Sequence, residues 1–276
     1  SDFEVADKFL FFNPKAGLTY NYSDNQKLYF SYAKAQREPN RTDYENGSPK
    51  PEKLNDFELG WRVKKGKIQA QANVYWMEYD DQLVLTGAID AVGAPIRQNI
   101  GKSRRLGLEL ELQCQLLDQL IWKPNFALSS NKNLDFYFKR DGVLEPLQNT
   151  NLAYSPNVIA GNALVYVPST GFQIGLLSKY VGAQYMGNID SEKSLLEAYF
   201  VSDVSAVLTW HPKTWVDRIQ WSVLINNIFN FEYESNGYFY TFDDNWSNPS
   251  QITTIEGAGY YPQAGINFFT GISFRF

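Results

Sequence analysis

The residues of this chain that could do chemistry are few: one histidine, one cysteine and scattered carboxylates. His211 stands beside Pro212 in a stretch that reads as a short turn. Without a second histidine or a cysteine cluster it cannot assemble a soft-metal site, and its setting describes a surface turn residue rather than a general base. Cys114 lies on the leucine face of an alternating stretch, which predicts an inert buried thiol. Glu109 and Glu111 share a face with Arg105, so they read as a charge network and not as an acid–base pair. The run Asp243-Asp244-Asn245 could hold a hard cation, but it lacks the ligand spacing of a calcium loop. Glycine-rich phosphate loops are absent, and no Ser-His pairing stands out. These residues predict a protein that is not an enzyme, with no cofactor and no metal.

Binding is the better use of the composition. Aromatic residues make up 16% of the chain, as 18 Tyr, 19 Phe and 7 Trp, a load that suits β-structure, an interfacial girdle or a stacking surface. The formal charge of -5 excludes a nucleic-acid binder, which needs a surplus of Lys and Arg to neutralise phosphates. Tyr238, Tyr240, Phe242, Trp246, Tyr260 and Tyr261 crowd one long connection, and Arg37, Arg41 and Tyr44 mark another. Such aromatics could stack on a flat ligand and such arginines could pair with an anionic one. The competing reading is that they pack the loops or line a membrane interface.

The elements that must position these residues read as β-strands. Leu106, Leu108, Leu110, Leu112, Cys114 and Leu116 alternate with Arg105, Gly107, Glu109, Glu111, Gln113 and Gln115. A helix would scatter those leucines around its circumference, whereas a strand gathers them on one side. The same alternation marks strands near 12–22, 28–32, 57–63, 68–76 (continuing toward Leu85), 122–131, 156–167, 172–180, 200–210 and 219–226. The last runs from Ile266 to Phe276, with Ile266, Ile272, Phe274 and Phe276 on one face and Ser273 and Arg275 on the other. About eleven strands result, with short turns at 23–26, 64–66, 118–119, 168–171 and 211–218. They alternate with long connections at 37–53, 87–95, 139–153, 182–197 and 231–263. Short turns on one side and long loops on the other are the habit of outer-membrane barrels. No linker divides the chain, so residues 1–276 read as one all-β domain. No window approaches the roughly 18 apolar residues of a spanning helix. Residues 1–4 carry no export signal. An extracellular β-sandwich that binds carbohydrate is the alternative.

Three stretches resemble one family. Asn226-Asn227-Ile228-Phe229-Asn230-Phe231-Glu232-Tyr233, together with Tyr261-Pro262-Gln263-Ala264-Gly265 and the closing strand, is similar to the carboxyl-terminal signature of TonB-dependent outer-membrane receptors. Asn13-Pro14-Lys15-Ala16-Gly17-Leu18 and the segments 37–44 and 49–60 resemble that family's barrel motifs in the same order. The resemblance implies an antiparallel transmembrane β-barrel of 22 strands, of which this chain supplies about half as its carboxyl-terminal part. It also implies a plug domain and an amino-terminal barrel half outside this chain, and outer-membrane lipid around the wall. The intact receptor would use a TonB energy-coupling complex to import an iron chelate such as a siderophore, haem or cobalamin into a Gram-negative cell. Ile272, Phe274 and Phe276 would then form the barrel-assembly signal, and the edge of the closing strand would be open to non-native pairing.

Overall fold

A computed structural model of the chain describes residues 6–45, 47–89, 95–212 and 215–276. The expected loop at 87–95 and turn at 211–218 therefore fall partly outside the described residues, and the amino-terminal stretch 1–4 wholly so.

In chain order the strands are β1 (Lys15–Ser23), β2 (Gln26–Arg37), β3 (Glu52–Lys65), β4 (Ile68–Asp80), β5 (Leu83–Ile89), β6 (Pro95–Asn99), β7 (Lys102–Leu117), β8 (Leu120–Arg140) and β9 (Val143–Asn151). They continue as β10 (Val158–Ser169), β11 (Phe172–Val181), β12 (Gln184–Tyr185), β13 (Leu195–Leu196), β14 (Tyr199–Trp210), β15 (Arg218–Asn226), β16 (Glu234–Asp244), β17 (Thr253–Pro262) and β18 (Asn267–Arg275). A short helix, α1 (Arg41–Glu45), interrupts the connection between β2 and β3.

Eleven of these strands form one antiparallel wall in the order β1-β2-β3-β4-β7-β8-β10-β11-β14-β15-β18, with β9 hydrogen-bonded to β8 beyond it. They are the eleven that the alternation predicts. Strand β1 pairs only with β2 and β18 only with β15 among the described residues, so both stand at open edges of the sheet.

Register sorts the wall into two chemistries. One rung runs Leu28–Trp61–Ala72–Leu110–Phe126–Ala160–Tyr180–Phe200 across eight strands. The adjacent rung, one residue along each strand, runs Lys27–Arg62–Gln71–Glu111–Asn125–Gly161–Lys179. Successive side chains point to opposite faces, and the second rung lines a concavity of the wall, so it marks the inner face and the first rung the outer one. The apolar face is uncovered by protein: Leu59 is 56% exposed and Phe268 74%. A soluble sandwich would lay a second sheet over that face; a membrane barrel leaves it for lipid. Cys114 is on this apolar face and only half-buried, so the expectation of a buried thiol is corrected.

The fold departs from the sequence reading at several boundaries, β8 for one running on to Arg140 instead of ending near residue 131. The fourth strand stops at Asp80 instead of running on to Leu85, because Asp81 adopts a left-handed φ of 54° and turns the chain into β5. The long connections are also not plain loops. Strands β17-β16-β5-β6 make a second, four-stranded sheet, built from two connections far apart in sequence. The buried apolar cluster sits where this sheet meets the far end of β8: Phe136 and Phe138 of β8 with Val84 of β5, Leu152 and Ile189, and Phe239 of β16 packed against them. The loop sheet thus lies on the extended end of β8, at the long-loop side of the wall.

Candidate functional site

The longest connection leaves the wall after β15 and returns at β18, and two asparagines clamp its neck. Asn227 and Asn230 both adopt left-handed backbone, with φ of 50° and 51°, which asparagine tolerates better than most residues. Asn227 Nδ2 donates to the carbonyls of Phe231 (2.8 Å) and Ala264 (3.2 Å), while its Oδ1 accepts from Phe231 N at 2.9 Å. Asn230 Oδ1 accepts from Ile266 N at 2.8 Å. The motif read as a family signature therefore ties the outgoing and returning ends of the loop together.

Beyond the neck, β16 carries its residues on two unlike faces. Phe239 and Thr241 pack inward, Thr241 being buried, while Tyr238, Tyr240 and Phe242 face away from β8. The outward rings form a continuous stripe with Tyr261 at one end and Trp246 at the other. Successive centroids from Tyr261 through Tyr238, Tyr240 and Phe242 to Trp246 are 6.0, 6.3, 6.3 and 5.8 Å apart. Five of the six aromatics expected in this loop are thus brought together. Tyr260 is not among them; it lies on the other face and its hydroxyl donates to Lys193 O at 2.8 Å.

The acidic run beside the stripe has turn work. Asp243 Oδ1 accepts from Thr254 Oγ1 at 2.9 Å, and Asp244 Oδ1 accepts from the amides of Trp246 and Ser247 at 3.2 and 3.0 Å. The Ser247 amide leads in holding the Asp244 carboxyl below the usual aspartate range. No cluster of three or more metal-ligating side chains occurs among the described residues.

Arg37 and Tyr44 of the first connection are engaged by different partners. Arg37 Nη2 pairs with Glu52 Oε2 at 2.5 Å, and Glu52 Oε1 in turn accepts from Leu83 N at 2.7 Å, bracing the start of β5. Arg41 opens α1, and Tyr44 in the same helix donates its hydroxyl to Asp7 Oδ2 at 3.0 Å. Desolvation, followed by that contact with Asp7, raises the Tyr44 phenol above its ordinary range. Ile272, Phe274 and Phe276 lie exposed at the end of the chain, Phe276 stacking on Trp215 with centroids 5.1 Å apart. His211 Nδ1 lies 3.0 Å from Asp217 O at the short-turn end, as a turn residue does.

A cavity of 520 Å³ that the sequence did not disclose opens between the wall and the loop sheet. Besides Thr42, its polar lining is Asp43, Gln82, Arg97, Arg105, Tyr154 and Asn188. Asp43 is almost wholly buried; its Oδ1 lies 3.2 Å from Arg97 Nε as an ion pair, and its Oδ2 accepts from the Asn40 amide at 2.8 Å. Asn188 knits three segments together: Nδ2 donates to Leu85 O (2.7 Å), and Oδ1 accepts from Ala153 N (2.9 Å) and Asn133 Nδ2 (3.3 Å). Tyr154 donates to Gly237 O at 2.9 Å, and burial raises its phenol pKa. Arg105 shares the inner face of β7 with Glu109 and Glu111, as expected, but its guanidinium stacks on Tyr79, 4.4 Å from the ring centroid.

Residues 2–230 match the TonB dependent receptor-like, beta-barrel family. The chain belongs to that family. Its members are outer-membrane β-barrel proteins of Gram-negative bacteria, and they are receptors and transporters rather than enzymes. The sandwich alternative is thereby set aside. Among curated relatives, an uncharacterized TonB-dependent receptor of Haemophilus influenzae is 25% identical over 173 residues, covering 62% of this chain and 48% of the relative. A pesticin receptor of Yersinia enterocolitica is 24% identical over 189 residues, covering 68% of this chain and 26% of the relative. The chain thus spans about half or less of the length of these relatives. Solved structures agree on the fold. The copper transporter OprC superposes with a TM-score of 0.70 at 19% identity, over 94% of this chain and 39% of that one. The ferric yersiniabactin uptake receptor FyuA of Yersinia pestis gives 0.61 at 18%, over 96% and 37%.

Proposed function

We propose that residues 1–276 form the carboxyl-terminal part of a receptor barrel that takes up a scarce ligand, foremost an iron chelate, across the outer membrane of a Gram-negative cell. The observation that carries this reading is the two-faced wall with a folded, cavity-bearing loop assembly at one end. An apolar outer face suits lipid, a polar inner face suits a solvated or plugged lumen, and the loop assembly offers a ligand a place to dock before entry. The wall's inner face forms a further concavity of 630 Å³, lined by polar residues such as Arg62, Gln71, Glu111 and Lys123, where a plug domain would rest. Energy for release would come from a TonB complex acting through that plug. Haem and cobalamin are the other ligands the fold could serve; the siderophore and ferric-citrate receptors among its structural neighbours favour iron.

Within this reading the aromatic stripe is a stacking surface at the loop assembly, and Arg37, Arg41 and Tyr44 lie on the same side of the wall. Ile272, Phe274 and Phe276 serve as the assembly signal of the closing strand. The test is uptake of radioactive iron chelates by cells that do or do not carry the intact receptor, with the energy complex present or deleted. Receptor- and energy-dependent accumulation is expected; accumulation that ignores both contradicts the proposal.

A further inference from the structure

The cavity between wall and loop sheet points to the chemical class of the ligand, an inference that rests on the uptake reading above. Three side chains with full charges line it: Asp43, Arg97 and Arg105. Asp43 is offset by its ion pair with Arg97 and accepts the Asn40 amide on Oδ2, although its Oδ1 has no hydrogen-bond partner. Arg105 has no ion pair of that kind among the described residues. Its Nη1 is buried with no hydrogen-bond partner, and the contact its guanidinium does make is with the face of Tyr79. A ring face offsets part of a cation's desolvation but accepts no proton along a guanidinium edge, so a buried donor stays unsatisfied at a cost. The lining therefore carries one net positive charge, in a chain whose formal charge is -5. Neutral donors and acceptors converge on the same space from Gln82, Tyr154 and Asn188, on three different segments. At 520 Å³ the cavity falls within the usual range for small-molecule sites, about 300–1,000 Å³.

We infer that this cavity receives an anionic oxygen group, carboxylate or phenolate, of the imported ligand, and that Arg105 is the residue that binds it. The guanidinium fork matches a two-oxygen anion, and the Tyr79 ring beneath holds the fork's plane. A carboxylate contributed by another part of the receptor would satisfy the same chemistry, so the test must separate the two sources.

The test uses the intact receptor in detergent with three radioactive-iron probes: ferric citrate and a ferric tris-catecholate, both anionic, and a neutral ferric trihydroxamate. An anionic probe is expected to bind, to bind less well as salt is raised, and to weaken roughly tenfold or more in Arg105→Gln, with Arg105→Lys recovering part of the loss. Heat-modifiable migration checks that each variant is folded; should Arg105→Gln fail to assemble, Arg105→Lys and the wild-type preference between probes decide the matter. Binding of the neutral probe alone overturns the anionic class and leaves the uptake reading standing. Unchanged affinity in Arg105→Gln with a lowered unfolding temperature also overturns it, since Arg105 would then be answering a protein carboxylate. Failure of the wild type to bind any of the three contradicts iron-chelate uptake itself, and this inference with it.

Discussion

The ring of Tyr240 lies over Gly257, its direct partner across the β16–β17 hairpin, in the space a side chain at 257 would fill. Tyr238 covers Gly259 in the same way, and in the wall Tyr29 covers Gly60 and Tyr75 covers Gly107. Each glycine lets a tyrosine lie flat across the ladder, so the outward stripe is a level surface and not a row of upright rings. Two of the aromatics expected to meet ligand are therefore also structural: their orientation comes from packing on their own hairpin.

Replacing Gly257 by Ala or Val should lift Tyr240 off the strand and break the stacking toward Tyr238 and Phe242. Overpacking of this kind costs about 1–3 kcal/mol. Faster protease cleavage within 245–252, with barrel assembly unchanged on a gel, is the expected outcome; Tyr240→Ala alone should leave assembly equally intact. Loss of the whole barrel in Gly257→Ala would show that the hairpin is not separable from the wall.

Arg140 and Glu256 tie that hairpin to the end of β8. Arg140 Nη1 bonds Glu256 Oε1 at 2.9 Å, and Ser191 Oγ donates to Glu256 Oε2 at 2.5 Å. Glu256 is only 12% exposed and Arg140 35%, so removing the arginine leaves a partly desolvated carboxylate, a loss of about 1–3 kcal/mol after allowance for solvent at the arginine. Hydrogen exchange at the β17 amides should quicken in Arg140→Ala and less so in Glu256→Gln. Equal protection in wild type and Arg140→Ala would remove the pair from the account.

The turn at Asp244 should respond to acid. Its carboxyl is held below the ordinary aspartate value by the Ser247 amide, so its folded pKa is lower than its unfolded one. The stabilisation is complete above the unfolded value, about 3.9, and is lost as pH falls through the depressed folded value. Trp246 fluorescence, taken as the difference from Trp246→Phe, should stay flat from neutral pH to about 4 and change below it. Asp244→Asn should show the altered signal already at neutral pH; a midpoint above the ordinary aspartate value would reverse the sign of the effect.

Charge placed on the two faces of the wall should have opposite consequences. Leu59→Arg puts a cation on the apolar face, where mid-membrane insertion costs about 2–4 kcal/mol, whereas Gln71→Arg adds one to an already polar face. The first should lower the yield of heat-modifiable barrel in the intact receptor and the second should not. Equal effects would mean that the two faces see one medium.

The eleven wall strands were legible in the sequence because one of their faces is apolar throughout, as Leu106 to Leu116 shows, and period two then leaves little choice. The loop sheet was not legible. In β16 Tyr238, Tyr240 and Phe242 alternate with Phe239 and Thr241, so both faces carry large or β-branched side chains and the alternation is blurred. Its partner β17 holds Gly257 and Gly259, which suggest a loop until the cross-strand tyrosines are in place. The crowding of aromatics at 238–261 was visible, but the separate fate of Tyr260 depends on which face of β17 it occupies. The cavity lay further out of reach, since Asp43, Gln82, Arg97, Arg105, Tyr154 and Asn188 come from segments that only the folded loops bring together. Alternation alone puts Arg105 on one face with Glu109 and Glu111; that its guanidinium stacks on Tyr79 is a fact of three dimensions.

The orientation of the wall is the claim on which the rest depends. Single cysteines at Leu110 and Glu111, introduced with Cys114 replaced by Ala and labelled with a fluorophore, place a reporter on adjacent residues of β7 in the intact receptor reconstituted in lipid. Quenching by brominated acyl chains should be strong at 110 and weak at 111. Equal quenching at both, or stronger quenching at 111, would contradict a barrel wall whose leucine face meets the membrane.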